Sequence, residues 1–474
     1  MSEISGKTGE TGSITAGDYR AIIGLYPNNF HKDNKFDGRN ITGFVTEFEI
    51  SEGLNQTSLL AKLTIRDGVN LLEDMRITGS ERISIQVAQE QPALGSKPKL
   101  FHHTFHISDV YNYSRSLGVQ TYNLQLVSRT AYLNQLSIKN NSFNGALGDE
   151  VKKVLTELMG NDELNYQNLF INSGGGNIKG CYPHLRPIDA INWLKRNAFD
   201  SGTPYYFFES LNYNEGDEKG GLVFESYKGF LENFADKYAN RPIESSSELS
   251  YSMVPYSHGQ DQGEDQFNKS KRILGISTNL GMSKFNQIPK GAYGSKLTTV
   301  DIATKTVKEK EYSYDEGQTS LKLDNMYKPF ATTENSKFND KTLDEYQGRR
   351  LYSSINTLAM EDKKNYHSPL EDESDQLQKS LSIEANLNYM QHEIDLYGDF
   401  ELYPGSIIYM SIPKSTDVSG FVEDNEPRDK LQSGIYMVTR INHIFKNNEY
   451  KMKVTIAKDA SMLDLDSETP APKG

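Results

Sequence analysis

Apolar and polar residues alternate along much of the N-terminal part of the chain, which is the period of a β-strand with one buried face. Around Phe48, which faces one way, Glu47 and Glu49 face the other. Glycine and Asp-Gly pairs separate such stretches, as turns between antiparallel strands do. The predicted strands are Gly43–Ile50, Ser58–Arg66, Arg82–Ala88, Thr104–Tyr113 and Gln120–Arg129, the last two joined at Leu117-Gly118. Short strands at this spacing predict a β-barrel over residues 18–133, preceded by a flexible arm at 1–17.

The period changes to that of an amphipathic helix after Leu133. The apolar stripe consists of Val151, Val154, Leu155, Leu158 and Met159. A second helix is predicted from Pro187 to Phe199, because proline suits a first helical turn. Tyr205–Glu209 and Leu222–Ser226 then read as a strand pair joined by a polar loop. Residues 134–263 are therefore predicted to form a small α+β unit.

Strand patterns return in the C-terminal part of the chain. They are predicted at Arg272–Thr278, Lys296–Ile302, Val307–Tyr314, His392–Leu396, Ser406–Ile412, Tyr436–Lys446 and Glu449–Ile456. A helix is predicted at Asp375–Asn388, whereas Ser313–Ser374 reads as loop-like or weakly helical. We expect residues 264–312 together with 376–463 to form a second β-barrel, with an insertion at 313–375. Residues 464–474 read as a tail.

Three blocks of sequence recur in the same order in the two predicted barrels. Lys62–Asp67 is matched with Lys296–Asp301, Ile83–Val87 with Ile407–Ile412, and Val110–Arg129 with Val438–Ile456. Each block is weak alone, and coincidence among amphipathic strands is the alternative to a duplication. The shared order favours duplication within the chain.

The fold predicted is α+β and mainly β, with two duplicated antiparallel β-barrel, tube-like domains and an inserted small α+β domain. Three such chains around one axis would present six similar barrels, and a head-to-tail contact would close the ring. Ring closure would also pair barrel edges that otherwise invite aggregation.

Several stretches of the chain resemble the central hub protein of contractile, T-even-like phage tail baseplates. That family is related to phage late-control proteins and to the spike hubs of contractile secretion systems. The stretches are Val45–Ala88, Thr121–Met159, Pro187–Ser210 and Leu377–Leu463. Leu402-Tyr403-Pro404-Gly405 looks like the family's turn into a barrel strand. Residues 313–374 and the N-terminal arm match poorly.

The resemblance implies a homotrimeric virion structural protein in the tail baseplate, assembled in the host cytoplasm. Its pseudo-six-fold ring would join the hexameric tail tube protein to the trimeric cell-puncturing spike protein. The channel would pass the tape-measure protein and then DNA, which only transits. Baseplate wedge proteins are further partners that this placement admits. The family has no catalytic residues to carry over, and no enzyme activity, cofactor or metal is expected.

Two other functions stay open from the sequence. One is the spike hub of a bacterial contractile injection system, although the chain ends soon after the second predicted barrel without a long β-helical repeat. We therefore expect a phage protein whose spike is a separate chain. The other is a tail-associated cell-wall hydrolase, which would need a catalytic dyad that the sequence does not offer.

Charge and composition exclude several protein classes. The net charge is -13 over 474 residues, which argues against a general nucleic-acid binder. The simpler interpretation of the negative net charge is an acidic, solvated surface. The more specific interpretation is a channel wall that does not retain DNA. The N-terminal residues lack the apolar region of a signal peptide, and no apolar run is long enough to span a membrane. The single cysteine, Cys181, excludes an intrachain disulfide and fits a reducing compartment.

Residues with candidate chemistry favour structural roles. His102 and His106 share a strand face while His103 points away, so a metal would need further ligands. We interpret the three as a polar strand face. Glu47 and Glu49 could imitate a glycosidase pair, but are the usual solvent face of a strand.

Three further features are interpreted as structural rather than catalytic or ligand-binding. The glycine-rich stretch Asn172–Gly180 lacks the Gly-Lys-Ser/Thr ending of a phosphate loop and reads as a flexible loop. Cys181 lies in no recognisable motif and is expected to be a buried or neutral thiol. Trp193 is expected to anchor the core, and no Gly-x-Ser-x-Gly elbow occurs.

Overall fold

The computed structural model describes sixteen stretches of the chain. They are residues 17–27, 38–89, 99–160, 168–174, 177–196, 198–200, 202–215, 218–238, 249–253, 270–279, 283–301, 305–314, 328–331, 337–355, 373–414 and 428–461. Residues 1–16 of the predicted arm at 1–17 and the tail at 464–474 lie outside the described residues.

The N-terminal part is built from seven strands and short helices. The strands are β1 (Tyr19–Tyr26), β2 (Arg39–Asn40), β3 (Val45–Gly53), β4 (Gln56–Asp67), β5 (Arg82–Gln89), β6 (Lys99–Ser116) and β7 (Val119–Ser128). A 3-10 turn covers Thr42–Phe44, and the helices are α1 (Leu71–Asp74) and α2 (Arg129–Leu136). Strand β1 was not predicted, because its sequence lacks a clear alternation.

The middle part contains strands and helices in mixed order. The strands are β8 (Ser142–Ala146), β9 (Asn168–Ile171), β10 (Asn177–Cys181), β11 (Phe199–Asp200), β12 (Thr203–Glu215) and β13 (Glu218–Ser226). The helices are α3 (Leu147–Met159), α4 (Pro187–Lys195) and α5 (Tyr227–Tyr238). The two predicted helices and the strand pair are confirmed, with β12 and β13 longer than predicted.

The C-terminal part holds the remaining elements. The strands are β14 (Ser250–Ser252), β15 (Ile273–Asn279), β16 (Gly294–Asp301), β17 (Thr306–Ser313), β18 (Lys328–Pro329), β19 (Lys337–Phe338), β20 (Lys341–Thr342), β21 (Arg349–Ile355), β22 (Met390–Tyr397), β23 (Ile407–Ser411), β24 (Gly434–Lys446), β25 (Glu449–Lys458) and β26 (Ala460–Ser461). The helices are α6 (Lys284–Gln287) and α7 (Glu373–Leu387), with 3-10 turns at Ile288–Lys290 and Leu343–Glu345.

One large sheet contains two groups of five strands that pair in the same order. In the first repeat, β3 to β7, the order is β5-β6-β7-β4-β3, and in the second repeat, β15 with β22 to β25, it is β23-β24-β25-β22-β15. Each strand holds the same rank along the chain in its repeat, and all these pairs are antiparallel. The fold is therefore mainly β and contains an internal duplication.

The two repeats also share their irregularities. A bulge falls opposite Leu126 and Gln125 in the first repeat and opposite Ile456 and Thr455 in the second. A second shared bulge lies between β3 and β4 and between β15 and β22. Because a bulge adds one residue at one fixed place in a ladder, two coincident bulges align the repeats residue by residue.

The duplication corrects one match made from the sequence. The counterpart of β4 is β22, because both lie between the equivalent pairs β7 and β3 or β25 and β15. Lys296–Asp301 lies instead in β16, which pairs with β17 and β21 in a separate three-stranded sheet. The prediction that Lys296–Asp301 repeats Lys62–Asp67 is wrong, since a local pattern of alternating residues does not determine which sheet a strand joins.

The segment read as loop-like at 313–374 is also partly a strand. Arg349–Ile355 forms β21 and pairs in parallel with β16 along its length. A parallel partner comes from a distant part of the chain, so it leaves no hairpin signal in the sequence.

Tight turns close the two longest hairpins. Leu117 and Gly118 between β6 and β7 both have positive φ, as do Asn447 and Asn448 between β24 and β25. Two consecutive positive φ values are the type I′ geometry that matches strand twist, and asparagine and glycine adopt it at little cost. The predicted turn at Leu117-Gly118 is confirmed.

The two largest clusters of the core meet at β12. The larger cluster fills the space between the two repeats and includes Tyr206 and Phe208, whereas Tyr205 and Phe207 point into the cluster around α3 and α4. Alternation along a strand with two buried faces thus attaches the middle part to the large sheet.

Candidate assembly interface

The two repeats are joined strand to strand within the chain. Strand β24 pairs with β23 up to Met437 and then continues alongside β3, from Arg440 opposite Gly53 to Lys446 opposite Glu47. We call this contact the internal joint. It is antiparallel and makes the sheets of the two repeats continuous.

Aromatic rings and an ion pair fasten the end of the internal joint. The rings of Phe48 and Phe445 stack at 4.3 Å between centroids, and Phe445 stacks on Tyr450 at 4.3 Å. On the solvent face Lys446 Nζ lies 2.6 Å from Glu47 Oε2. Cross-strand aromatic pairs of this kind add about 0.5–1.5 kcal/mol each beyond the area that they bury.

A buried polar triad lies at the centre of the internal joint. His443 Nε2 is 2.9 Å from Glu52 Oε1, and His443 Nδ1 is 2.7 Å from the Tyr450 hydroxyl. Both His443 and Glu52 are inaccessible to solvent. The second oxygen of Glu52 accepts a hydrogen bond from the Leu211 amide in β12 at 2.9 Å. Burial, together with the nearby Asp399 and Glu52 carboxylates, raises the pKa of Tyr450.

A reciprocal contact anchors β12 to the first repeat. Glu209 of β12 accepts a hydrogen bond from the Leu59 amide at 3.1 Å, and its other oxygen lies 3.7 Å from His103 Nε2. Burial and the neighbouring His102 lower the pKa of His103 to about 4. On each side of the contact a backbone amide therefore donates to a carboxylate of the other part, Leu59 to Glu209 and Leu211 to Glu52.

The loop between β22 and β23 also ties the two repeats together, beside Tyr450 of the internal joint. Gln89 donates to the Gly398 carbonyl and accepts from the Phe400 amide. Asp399 Oδ2 accepts from the Tyr251 hydroxyl at 3.0 Å and pairs with Lys271, while Oδ1 lies 3.6 Å from Lys99 Nζ.

Electrostatics in this loop favour the ionised carboxylate. Burial opposes ionisation of Asp399, but the ammonium groups of Lys271 and Lys99 outweigh it and hold its pKa well below the usual range. A Cβ at Gly398 would lie 1.8 Å from the Tyr450 ring, so only glycine fits. Gly398–Phe400 thus form a clamp between the repeats, whereas Tyr403 and Gly405 of the following turn contact Tyr213 and Phe230 of the middle part.

Two strand edges equivalent to the internal joint face solvent. The outer half of β6, Asp109–Ser116, is the counterpart of the part of β24 that pairs with β3. It is mostly exposed, whereas Ile441 in β24 is 0% exposed. Within the described residues, β15, the counterpart of β3, pairs with β22 alone. Among the described residues, one half of a second joint thus lies on β15, at one end of the sheet, and the other half lies on β6, beyond the residues that pair with β5.

The three histidines point to different partners. His102 Nε2 lies 2.8 Å from Ser84 Oγ, whereas His106 lies 3.1 Å from the Arg129 guanidinium and stacks on Tyr132. Burial lowers the pKa of both. No group of three or more potential metal ligands occurs within the sixteen described stretches.

The candidate carboxylate pair on β3 is a strand surface. The hydrogen bond from Lys446 is the main cause that lowers the pKa of Glu47, which is the opposite of what a general acid needs. Glu49 lies on the same face opposite Ile444.

The structure also places three other candidate features. Cys181, expected to be a buried or neutral thiol, is exposed at the end of β10. Residues 177–180 of the glycine-rich stretch are strand rather than flexible loop, paired with β8. Trp193 is only partly buried and contacts Phe143 edge to face at 5.8 Å.

Ile408, in the block matched with Ile83–Val87, lies inside the sheet rather than at an edge. It is 0% exposed in β23, which pairs with β24 on one side and β14 on the other. A charge there would disrupt the core rather than test assembly.

Sequence patterns did not reveal the buried polar residues. His443 lies in a predicted strand, whereas Glu52 lies beyond the predicted end of its strand at Ile50 and is still part of β3. Neither polar side chain gave a signal of a partner in another repeat. Lys458 is similar: its ammonium donates to the Leu431 and Ser433 carbonyls at 2.5 and 2.9 Å, and burial lowers its pKa to about 7.

No protein-family model matches the chain, and no curated protein matches it in sequence. Among solved structures it is similar to a tail protein from Neisseria meningitidis MC58, at 10% identity and a TM-score of 0.48 over 93% of this chain and 97% of that one. A tail protein of prophage MuSo2 from Shewanella oneidensis has 10% identity and a TM-score of 0.48, with 93% and 99% covered. A type VI secretion component of E. coli has 12% identity and a TM-score of 0.37, with 88% and 73% covered. The structures that the chain resembles are thus phage tail and contractile secretion proteins.

None of the helices in the described stretches is both long and apolar enough to cross a membrane.

Proposed function

We propose that this chain is a structural, non-enzymatic ring subunit, the hub of a contractile tail baseplate. Three copies would place six repeats around one axis, in a pseudo-six-fold ring. The observation that carries the proposal is the internal joint, which links two repeats of the same strand order through β24 and β3.

The joint supports a ring because it is a head-to-tail contact between similar units. Such heterologous contacts generate closed rings or open filaments, depending on the rotation between units. A chain with two units uses one joint internally and has one more to make at each end. The free edges of β6 and β15 are those ends.

A ring of this symmetry matches two kinds of partner. Six similar repeats fit a hexameric tail tube protein, and three chains fit a trimeric spike protein. The channel would pass tape-measure protein and DNA, and the chain would reside in the virion baseplate. Two of the solved structures that resemble the chain are tail proteins, and a third is a component of a type VI secretion system.

A non-enzymatic role agrees with the side chains described above. Glu47 is paired with a lysine, the histidines bond to different partners, and Asp399 is fixed between ammonium groups. Zymography on cell walls checks this part of the proposal, which a clear zone of digestion would contradict.

The ring itself is tested by the mass of the full chain in solution. Light scattering and negative-stain images of one sample should show three chain masses and a six-lobed outline, either alone or after addition of the cognate spike protein. A particle of one chain mass under both conditions would overturn the proposal.

A further inference from the structure

The internal joint serves as a template for a contact between two copies of the chain. This inference rests on the proposed ring. The template needs a residue-by-residue alignment of β6 with β24 and of β15 with β3. The described hydrogen bonds supply one.

Strands β6 and β24 align through their bulges. Ser108 Oγ donates to the Gln125 carbonyl at 3.1 Å, and Thr439 Oγ1 donates to the Thr455 carbonyl at 3.1 Å. Immediately before these residues, the Ile107 amide bonds to the Glu81 carbonyl and the Val438 amide to the Ser406 carbonyl. Ser108 is therefore the counterpart of Thr439.

The hairpin tips give the alignment at the outer end. Ser116 and Val119 flank one two-residue turn, and Lys446 and Glu449 flank the other. Ser114 is therefore the counterpart of Ile444. One additional bulge in β6, between Tyr111 and Ser114, accounts for the difference in length.

Strands β15 and β3 align in the same way. The bulge between Ile273 and Gly275 corresponds to the bulge between Val45 and Glu47. Counting on from these positions, Ser277 is the counterpart of Glu49. In the internal joint Glu49 lies directly opposite Ile444.

We propose that β15 of one copy adds to the outer half of β6 of the next copy as an antiparallel strand, with Ser114 opposite Ser277. Neighbouring pairs would be Arg115 with Ile276 and Ser116 with Gly275. The contact completes the sheet by main-chain hydrogen bonds, as the addition of a strand to an open edge does.

Differences in exposure agree with this placement. In the internal joint Phe48 is 3% exposed, but its counterpart Ile276 is only half-buried in the single chain. Val110 is half-buried as well, although its counterpart Ile441 is fully buried. A second copy on these edges would bury the apolar positions that the internal joint already buries.

Disulfide trapping tests the register directly. Cα atoms of directly opposed antiparallel residues are about 4.5–5.5 Å apart, within the range that a disulfide spans. In a Cys181→Ser background, Ser114→Cys and Ser277→Cys chains carrying different tags are co-expressed and oxidised mildly. The expected product is a covalent dimer that contains both tags, absent when either variant is expressed alone.

Two controls make the result interpretable. Glu49→Cys with Ile444→Cys in one chain should form an intrachain disulfide and no covalent dimer, which confirms that the oxidation works on the template pair. Ser116→Cys with Ser277→Cys, displaced by two residues, should cross-link several-fold less.

The outcomes separate this inference from the proposed ring. A trimer by light scattering without the Ser114–Ser277 cross-link, while the template pair is oxidised, would overturn the register and leave the ring intact. A preparation of one chain mass, with or without the spike protein, would overturn both.

Discussion

His443 and Glu52 form a hydrogen-bonded pair that is sealed from solvent at the contact between the two repeats, with Nε2 and Oε1 2.9 Å apart. The Glu52 carboxyl lies on one side of the imidazole and the Tyr450 hydroxyl on the other, so both ring nitrogens have a hydrogen-bond partner inside the fold. Because the two residues are far apart in the sequence, the pair connects the first repeat to the second rather than stabilising a local turn.

Removing the imidazole should destabilise the chain strongly. His443→Leu would leave Glu52 buried with the Leu211 amide but without its ring partner, and leaving a buried polar group unsatisfied costs about 1–3 kcal/mol, more if the group is charged. Urea unfolding followed by tryptophan and far-ultraviolet signals measures the loss. Lys451→Ala on the exposed face of β25 is the control and should change stability by less than about 0.5 kcal/mol. An equal effect of the two substitutions would contradict the role assigned to the pair.

Asp399 gives a pH dependence of known sign. Its pKa in the fold is held below the ordinary value of a free carboxyl, near 4. Its stabilising contribution is therefore complete above that value and is lost as the pH falls through the lower pKa of the folded state. Asp399→Asn should cost about 1.5–3 kcal/mol at pH 7, the range for hydrogen bonds to a charged group.

The measurement is the difference in unfolding free energy between wild type and Asp399→Asn at several pH values. That difference should narrow when the pH is lowered from 5 towards 3. A difference that stays constant over this interval would show that the carboxylate charge does not contribute.

Lys458 should affect the stability of the fold at neutral to alkaline pH, whereas Asp399 affects it at acidic pH. Burial lowers its pKa to about 7, below the ordinary value of 10.5, so the fold disfavours the ammonium form. The unfolded chain then binds more protons between about pH 7 and 10.4, and wild-type stability gains from this residue as the pH rises through that interval. The stability of the Lys458→Met variant should not rise with pH in this way. Unfolding midpoints at pH 7 and 9.5 check it, and equal pH responses of the two proteins would count against the buried charge.

The sequence predicted strands well where one face is buried and a short turn follows. The β6–β7 hairpin and the α3 helix could be read directly, because their periods and turn residues are local properties. The duplication could also be read, but the strand that corresponds to β4 could not. That strand is β22, which has the same position in the strand order but a different local residue pattern.

The polar connections could not be predicted for a different reason. Glu52 reaches the Leu211 amide across 159 residues of sequence, and Gln89 reaches Gly398 across 309. Which polar residue a distant segment will cover depends on tertiary packing, which alternation and turn signals do not encode. The free edges became visible only when the internal joint could be compared with them.

Gly398 tests the clamp between the repeats. In Gly398→Ala the added methyl group would meet the Tyr450 ring, and overpacking of this kind costs about 1–3 kcal/mol or more. Gly43→Ala is the matched control, because no atom lies within 4 Å of a Cβ placed there. Thermal melting should show a clear loss for Gly398→Ala alone. Comparable melting temperatures for the two variants would mean that the loop relaxes without cost.

A charge exchange tests the contact between copies independently of cysteine chemistry. Ser114 and Ser277 are both exposed in the single chain, so lysine at either position should leave the fold unchanged. Like charges directly opposed across strands destabilise the pairing by roughly 0.2–1 kcal/mol, and a closed ring of three chains repeats the effect at every contact. The Ser114→Lys and Ser277→Lys double variant should therefore shift the trimer towards monomer at a given concentration, as measured by sedimentation velocity. Ser114→Lys with Ser277→Glu should restore the trimer. If both double variants assemble equally, the two serines are not opposed and β15 does not meet β6 in this register.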